Sequence, residues 1–394
     1  MSYLTLLRLP GAARLAFAAL VGRIPLGMVP LAYILLLRAV GQSYAVAGSV
    51  AAAVAIAGGL AAIPQGRLVD RLGQPRVLVA FAVVNAAAIL GLLLAARAGA
   101  PPGVLIAIGV LDGLSLPPLS ASMRALWPVL TRGDERLEQA FALEAVLTES
   151  FFIAGPVIVG LVVLVASPDA AVVTAAVLTL LGTILFATSR VSRGQRGGTS
   201  SAGQLGALGA PGLRTLALAL LPLGVAFGAI EVAIPAFAED HGSRTAAGLL
   251  LACWGFGSML GGLWYGTRRW RGAAERRLPV LLAILAVAVA PLALADSIPA
   301  MAALLLLAGA PIAPMATTAY LLVDALAPPG TLTEAFTVTT TAGIAGAALG
   351  NGAAGALVES AGPSWTLAGA TLVALLAPLA VTLRRHTLTP VAAA

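Results

Sequence analysis

Twelve runs of about twenty or more mostly apolar residues follow one another along this chain, and that succession limits the fold more than any motif does. A helix of roughly 20 apolar residues crosses the hydrocarbon core of a bilayer. Inside lipid, only helices and closed barrels satisfy every backbone polar group. Dividing the chain at charges and Pro/Gly clusters places the spans near 12–37, 43–64, 76–98, 102–124, 137–165, 169–189, 213–238, 245–267, 278–296, 298–322, 333–359 and 363–383. The composition agrees, with 60% hydrophobic and 10% charged residues, where a soluble chain carries about a quarter as charges. The expected fold is an all-α membrane protein. The first apolar stretch runs on past Arg23 to Leu37, too long for the core of a signal peptide.

The sequence excludes several chemistries. With one cysteine, Cys253, no intramolecular disulfide or thiolate cluster forms, and the two histidines, His241 and His386, make no HExxH zinc signature. No metal site and no cofactor are expected. No Walker A sequence is present, so ATP does not drive this chain directly. No nucleophile, base and metal ligands cluster at one depth, so an integral-membrane enzyme acting on lipid is the disfavoured reading.

A net charge of +7 invites a nucleic-acid reading, but every basic residue is arginine and the arginines stand at the ends of apolar runs. With the N-terminus inside, nineteen arginines fall in inside segments, and only Arg38, Arg97 and Arg244 fall outside. Arg124, Arg196 and Arg271 count among the inside ones. The positive-inside rule then puts both termini in the cytoplasm. The Gly, Ser and Arg-rich stretch after residue 189 reads as a linker, dividing the chain into an N-terminal six-helix half at 1–189, a cytoplasmic linker at 190–212 and a C-terminal six-helix half at 213–394.

The halves repeat. Gly113 and Pro118 fall on Gly309 and Pro314 at an offset of 196, while Ala140-Phe141, Gly155 and Gly160 fall on Ala335-Phe336, Gly350 and Gly355 at 195. Repeated bundles are a common transporter plan.

After the second span the chain reads Gly66-Arg-Leu-Val-Asp70-Arg71-Leu-Gly73-Gln-Pro-Arg76, with a reduced copy, Gly262-Leu-Trp-Tyr265-Gly266, in the second half. This resembles the loop 2–3 signature of the major facilitator superfamily, departing from it at Gln74-Pro75. Gly155-Pro156-x-x-x-Gly160 resembles that family's antiporter motif, although Phe151 stands where its upstream glycine belongs. The family's fourth-span arginine is missing too: Gly109 stands in its place.

The resemblance implies a secondary active transporter of the bacterial cytoplasmic (inner) membrane, most like the twelve-helix drug and metabolite exporters. It implies alternating access, proton-coupled efflux of a small organic molecule, a proton gradient as the energy source, and a monomer as the usual form. The alternative within transport is a sugar, amino-acid or other metabolite carrier working by symport or uniport. The loop motif is implied to latch the halves together.

Charges inside a span cost several kcal/mol unless paired or hydrated, so each is a functional candidate. Arg23, Asp112, Glu144, Glu149 and Glu231 are those charges. The expectation is that Arg23 pairs with one or more of the acids and that a carboxylate exchanges its proton. Ser115 and Ser122, at i+3 and i+10 from Asp112, are expected on its side of the helix. By resemblance, Tyr33, Phe227, Trp254 and Tyr320 are the cavity aromatics. Trp127, Trp264 and Trp270 read as interfacial anchors.

Overall fold

A computed structural model describes residues 3–132, 136–195, 197, 205–243, 246–270 and 272–389; Arg196, Arg244 and Arg271 of the topology count lie outside them. Twelve helices among these residues are long and apolar enough to cross a membrane: Ala12–Ala39, Ala45–Leu72, Gln74–Arg97, Pro102–Thr131, Arg136–Val165, Pro168–Ala187, Pro211–Asp240, Ala246–Gly266, Ala274–Leu294, Ile298–Leu326, Leu332–Ala361 and Pro363–Leu383. They are called spans 1 to 12 below. No strand occurs among the described residues. Leu60, Leu94, Leu164 and Leu307 are each at least 67% exposed on these spans. Apolar surface of that kind belongs against lipid.

The chain forms two compact units. The first unit holds residues 7–132 and 150–200, and the second holds residues 1–6, 133–149 and 201–394. Span 5 is thus divided between them after Glu149.

Within the first unit span 1 packs on span 6 and span 2 on span 4. Within the second unit span 7 packs on span 12 and span 8 on span 10. The same pairings recur at an interval of six spans, as the repeat requires. Each unit has its own apolar core. One gathers Met28, Leu36, Ile89, Leu92 and Val172, and the other gathers Ile230, Ile234, Leu250, Met301 and Leu305.

Four expectations need correcting. Span 2 runs on to Leu72, so most of the loop 2–3 signature is helix. Arg124 lies within the helix Leu119–Thr131 and is 4% exposed, not in a connecting segment, and Trp127 on the same helix is fully buried and is no interfacial anchor. Span 4 is broken between Leu114 and Leu119, so the helical i+10 relation of Ser122 to Asp112 does not exist.

The break has a local cause. Pro117 and Pro118 carry no N–H to donate to the carbonyls four residues earlier, those of Gly113 and Leu114. Leu116 N–H takes the Gly113 carbonyl at 3.2 Å, and the Gln65 side-chain amide of span 2 donates to the Leu114 carbonyl at 2.8 Å. Span 10 is interrupted in the matching place, between Gly309 and Ile312.

Candidate functional site

In the first unit, the buried charge Asp112 stands one turn before the break in span 4. Both of its carboxylate oxygens accept hydrogen bonds: Tyr33 Oη of span 1 donates to Oδ2 at 2.6 Å, and Asn85 Nδ2 of span 3 donates to Oδ1 at 2.7 Å. Asn85 Nδ2 also reaches the Asp112 carbonyl at 2.9 Å. All three side chains are within 1% of complete burial. Ser115 Oγ donates to the carbonyls of Leu111 and Asp112, closing the end of the helix. Tyr33, expected among the cavity aromatics, is thereby fixed in the unit's core.

Arg23, also buried, donates from Nε to the Ala19 carbonyl at 2.9 Å. Its guanidinium lies 5.6 Å from the centre of the Phe151 ring, within cation–π range.

The second unit gathers the other acids. Glu149 accepts a hydrogen bond from Ser258 Oγ of span 8 at 3.0 Å. One turn earlier on span 8, Trp254 meets Phe227 of span 7 edge to face, with ring centres 5.0 Å apart. Glu231 follows Phe227 by one turn and takes a side-chain hydrogen bond from Asn351 of span 11. Glu144 is fully buried. Tyr320 belongs elsewhere in this unit, in an aromatic trio with Phe141 and Phe336.

A polar cluster closes one end of the second unit. Arg277 at the start of span 9 pairs with Glu138 of span 5 and donates to Tyr265 Oη at 2.7 Å. Tyr265 Oη also lies 3.0 Å from Thr318 Oγ1. Trp270 stacks on the Tyr265 ring at 4.4 Å and donates to its carbonyl.

The loop 2–3 signature sits as follows. Gly66, Asp70 and Arg71 lie on the last turns of span 2. Gly73 makes the turn with φ near +87°, a conformation open chiefly to glycine. Arg76 is in the first turn of span 3. Gln74, the departure from the family pattern, is 3% exposed. It donates to the Ser122 carbonyl at 3.1 Å and accepts from Ser192 Oγ at 3.1 Å. The buried Gln74 amide thereby bridges two neighbours.

Of the antiporter-like residues, Gly155 lies against span 1, where an added Cβ would stand 2.7 Å from Gly27 Cα. Gly160 faces open space, and Pro156 is carried inside an unbroken helix.

The profile of the Major Facilitator Superfamily matches residues 15–267 and, in a second placement, residues 216–393. The chain belongs to the major facilitator superfamily. It is 27% identical over 384 residues to an uncharacterised MFS-type transporter of Sinorhizobium fredii, covering 94% of this chain and 95% of that one. Its fold is similar to that of a bacterial homologue of the iron transporter ferroportin, with a TM-score of 0.76, 15% identity, and 94% and 98% of the two chains covered. It is also similar to the human organic anion transporter MFSD10, at 0.72 and 17% over 94% and 99%. The Escherichia coli fucose:proton symporter gives 0.73 and 14% over 98% and 99%. As a superfamily member the chain is a multi-pass secondary transporter and not an enzyme.

Sequence reasoning on this superfamily member missed Asn85, Ser258 and Asn351, each a polar residue bonded to one of the acids. Asn85 carried a usable signal, being the lone amide in the apolar run of span 3. Ser258 and Asn351 sit among many small residues, and no spacing marks them.

Proposed function

We propose that this transporter exports a small organic molecule, a drug or metabolite, in exchange for protons by alternating access. The six-helix halves at 1–189 and 213–394 are the moving bodies, the segment 190–212 is their cytoplasmic linker, and the chain works as a monomer in a bacterial inner membrane with both termini in the cytoplasm.

The observation that carries this reading is the place of Glu149. On span 5, it takes a hydrogen bond from Ser258 Oγ of span 8. An ionised carboxylate only accepts hydrogen bonds, whereas a protonated one also donates. Gaining or losing one proton therefore changes how Glu149 of span 5 holds span 8. Asp112 has the same capacity. Tyr33 Oη can accept as well as donate, and Asn85 can turn its amide to offer Oδ1, which has no hydrogen-bond partner among the described residues.

Phe227, Glu231 and Asn351 supply a ring, a carboxylate and an amide within the second unit, backed by the buried Trp254. That is a surface suited to an amphipathic organic molecule. Arg23 pairs with one or more of the acids, the loop 2–3 residues Gly66, Asp70, Arg71, Gly73 and Arg76 latch the halves, and Gly155, Pro156 and Gly160 shape span 5.

A carboxylate serves symport as well as antiport, so sugar or amino-acid uptake is the alternative. Expression in a drug-sensitive, efflux-deficient bacterium distinguishes them. Export predicts lowered drug accumulation that Glu149→Gln abolishes, and restored growth on a nutrient with no change in drug accumulation favours uptake.

A further inference from the structure

Residues 3–7 form a single helical turn, and the chain passes from the second unit to the first between Leu6 and Leu7. Tyr3 Oη donates to the Gly262 carbonyl at 2.8 Å and reaches the Leu263 carbonyl at 3.3 Å. Leu6 is completely buried. Burial pushes the Tyr3 phenol up to about 12, with a backbone hydrogen bond at Gly266 acting in the opposite direction. The phenol is therefore protonated, and a donor, throughout the physiological range.

The residues it meets are not arbitrary. At the 196-residue offset that aligns Gly113 with Gly309, Gly66 falls on Gly262 and Asp70 falls on Gly266. The second copy of the signature thus carries glycine where the first carries its acidic side chain. A Cβ added to Gly266 would run into the Tyr3 hydroxyl, and it would stand 2.8 Å from Tyr3 Cζ. The space that a side chain at the Asp70-equivalent position would take is filled by a hydrogen-bonding group from the N-terminus.

We propose that Tyr3 places a polar group where the second copy of the signature has no side chain, docking the N-terminal segment on the end of span 8 as a latch of the transport cycle. Tyr3 is a positioning residue: it touches the backbone of Gly262 and not the proposed substrate surface. The docking stands on its own, and only its effect on rate rests on the transport reading above.

The test uses the full chain. With p-benzoylphenylalanine at position 3, irradiation is expected to crosslink residue 3 to the peptide holding Gly262 to Gly266. In a Cys253→Ser background, Leu6→Cys is expected to react with maleimide about fivefold faster once Tyr3→Phe is added, the factor that one hydrogen bond is worth. Crosslinks made only elsewhere, or equal labelling with and without Tyr3→Phe, overturn the docking.

For the latch, Tyr3→Phe is expected to lower maximal drug-driven proton flux about fivefold at an unchanged half-saturating concentration. An unchanged maximal flux, or a shift confined to half-saturation, overturns it. Absence of flux in the parent chain counts against the transport reading, while crosslinking and labelling still decide the docking.

Discussion

Phe141 and Phe336 stand 195 positions apart, are matched to each other by the internal repeat, and pack edge to face with ring centres 5.8 Å apart. Both are fully buried, and Tyr320 completes the trio. Offset aromatic pairs contribute about 0.5–1.5 kcal/mol beyond the area they bury. Phe141→Leu and Phe336→Leu are each expected to lower the melting temperature in detergent. The double variant is expected to lose less than the sum, with a coupling of about 1 kcal/mol. Simple additivity would show that the rings do not depend on each other.

The two glycines of the antiporter-like motif are expected to behave oppositely. Gly155→Ala forces a methyl against the backbone of Gly27 and Met28, so stability and transport both fall. Gly160→Ala meets nothing within 4 Å and gains about 1 kcal/mol of helix propensity at most, so it is neutral or slightly stabilising. Melting curves and drug-accumulation assays of the pair check this, and equal damage at both positions would contradict it.

The Asp112 cluster predicts a graded series. Tyr33→Phe removes one donor and is expected to cost about 1 kcal/mol. Asn85→Leu takes away both of its bonds to Asp112 and leaves the buried carboxyl partly unsatisfied, at about 2–3 kcal/mol. Thermal unfolding in detergent should rank Asn85→Leu below Tyr33→Phe, and the reverse order would contradict the bond pattern.

Glu138 and Arg277 are a charge pair with little solvent access, so reversing one partner leaves two like charges together. Glu138→Arg or Arg277→Glu alone is expected to impair folding yield, and the exchanged double variant to recover most of it. Failure of the exchange to recover anything would mean that the bond from Arg277 to Tyr265 outweighs the pair.

The spans were legible because a run's length and polarity are local. Predicted and observed limits agree within about four residues at most ends, and the exceptions are instructive. The apolar run of span 2 ends near residue 64, ahead of the charges that begin at Arg67, yet the helix continues to Leu72. A charged turn remains helical when it stands outside the apolar layer.

The break in span 4 was not legible. Pro25, Pro30, Pro64, Pro156, Pro222 and Pro235 all lie inside unbroken helices. What distinguishes Pro117-Pro118 includes a tertiary fact, the amide of Gln65 waiting at a freed carbonyl. The acids were legible as costly charges in apolar runs, but their partners were not. Asn85 and Asp112 belong to different spans, as do Glu149 and Ser258. In helices apolar nearly all round, periodicity does not fix which face meets which.

The proposed coupling of proton movement to substrate export through Glu149 has a direct test. The measurement that tests it most directly is dye-reported collapse of an inward-acid pH gradient in everted membrane vesicles, challenged with cationic, anionic and neutral drugs, sugars and amino acids. Drug-dependent proton release is expected from vesicles of the parent chain, and none from vesicles carrying Glu149→Gln at equal expression. Full proton release from the Glu149→Gln vesicles would contradict it.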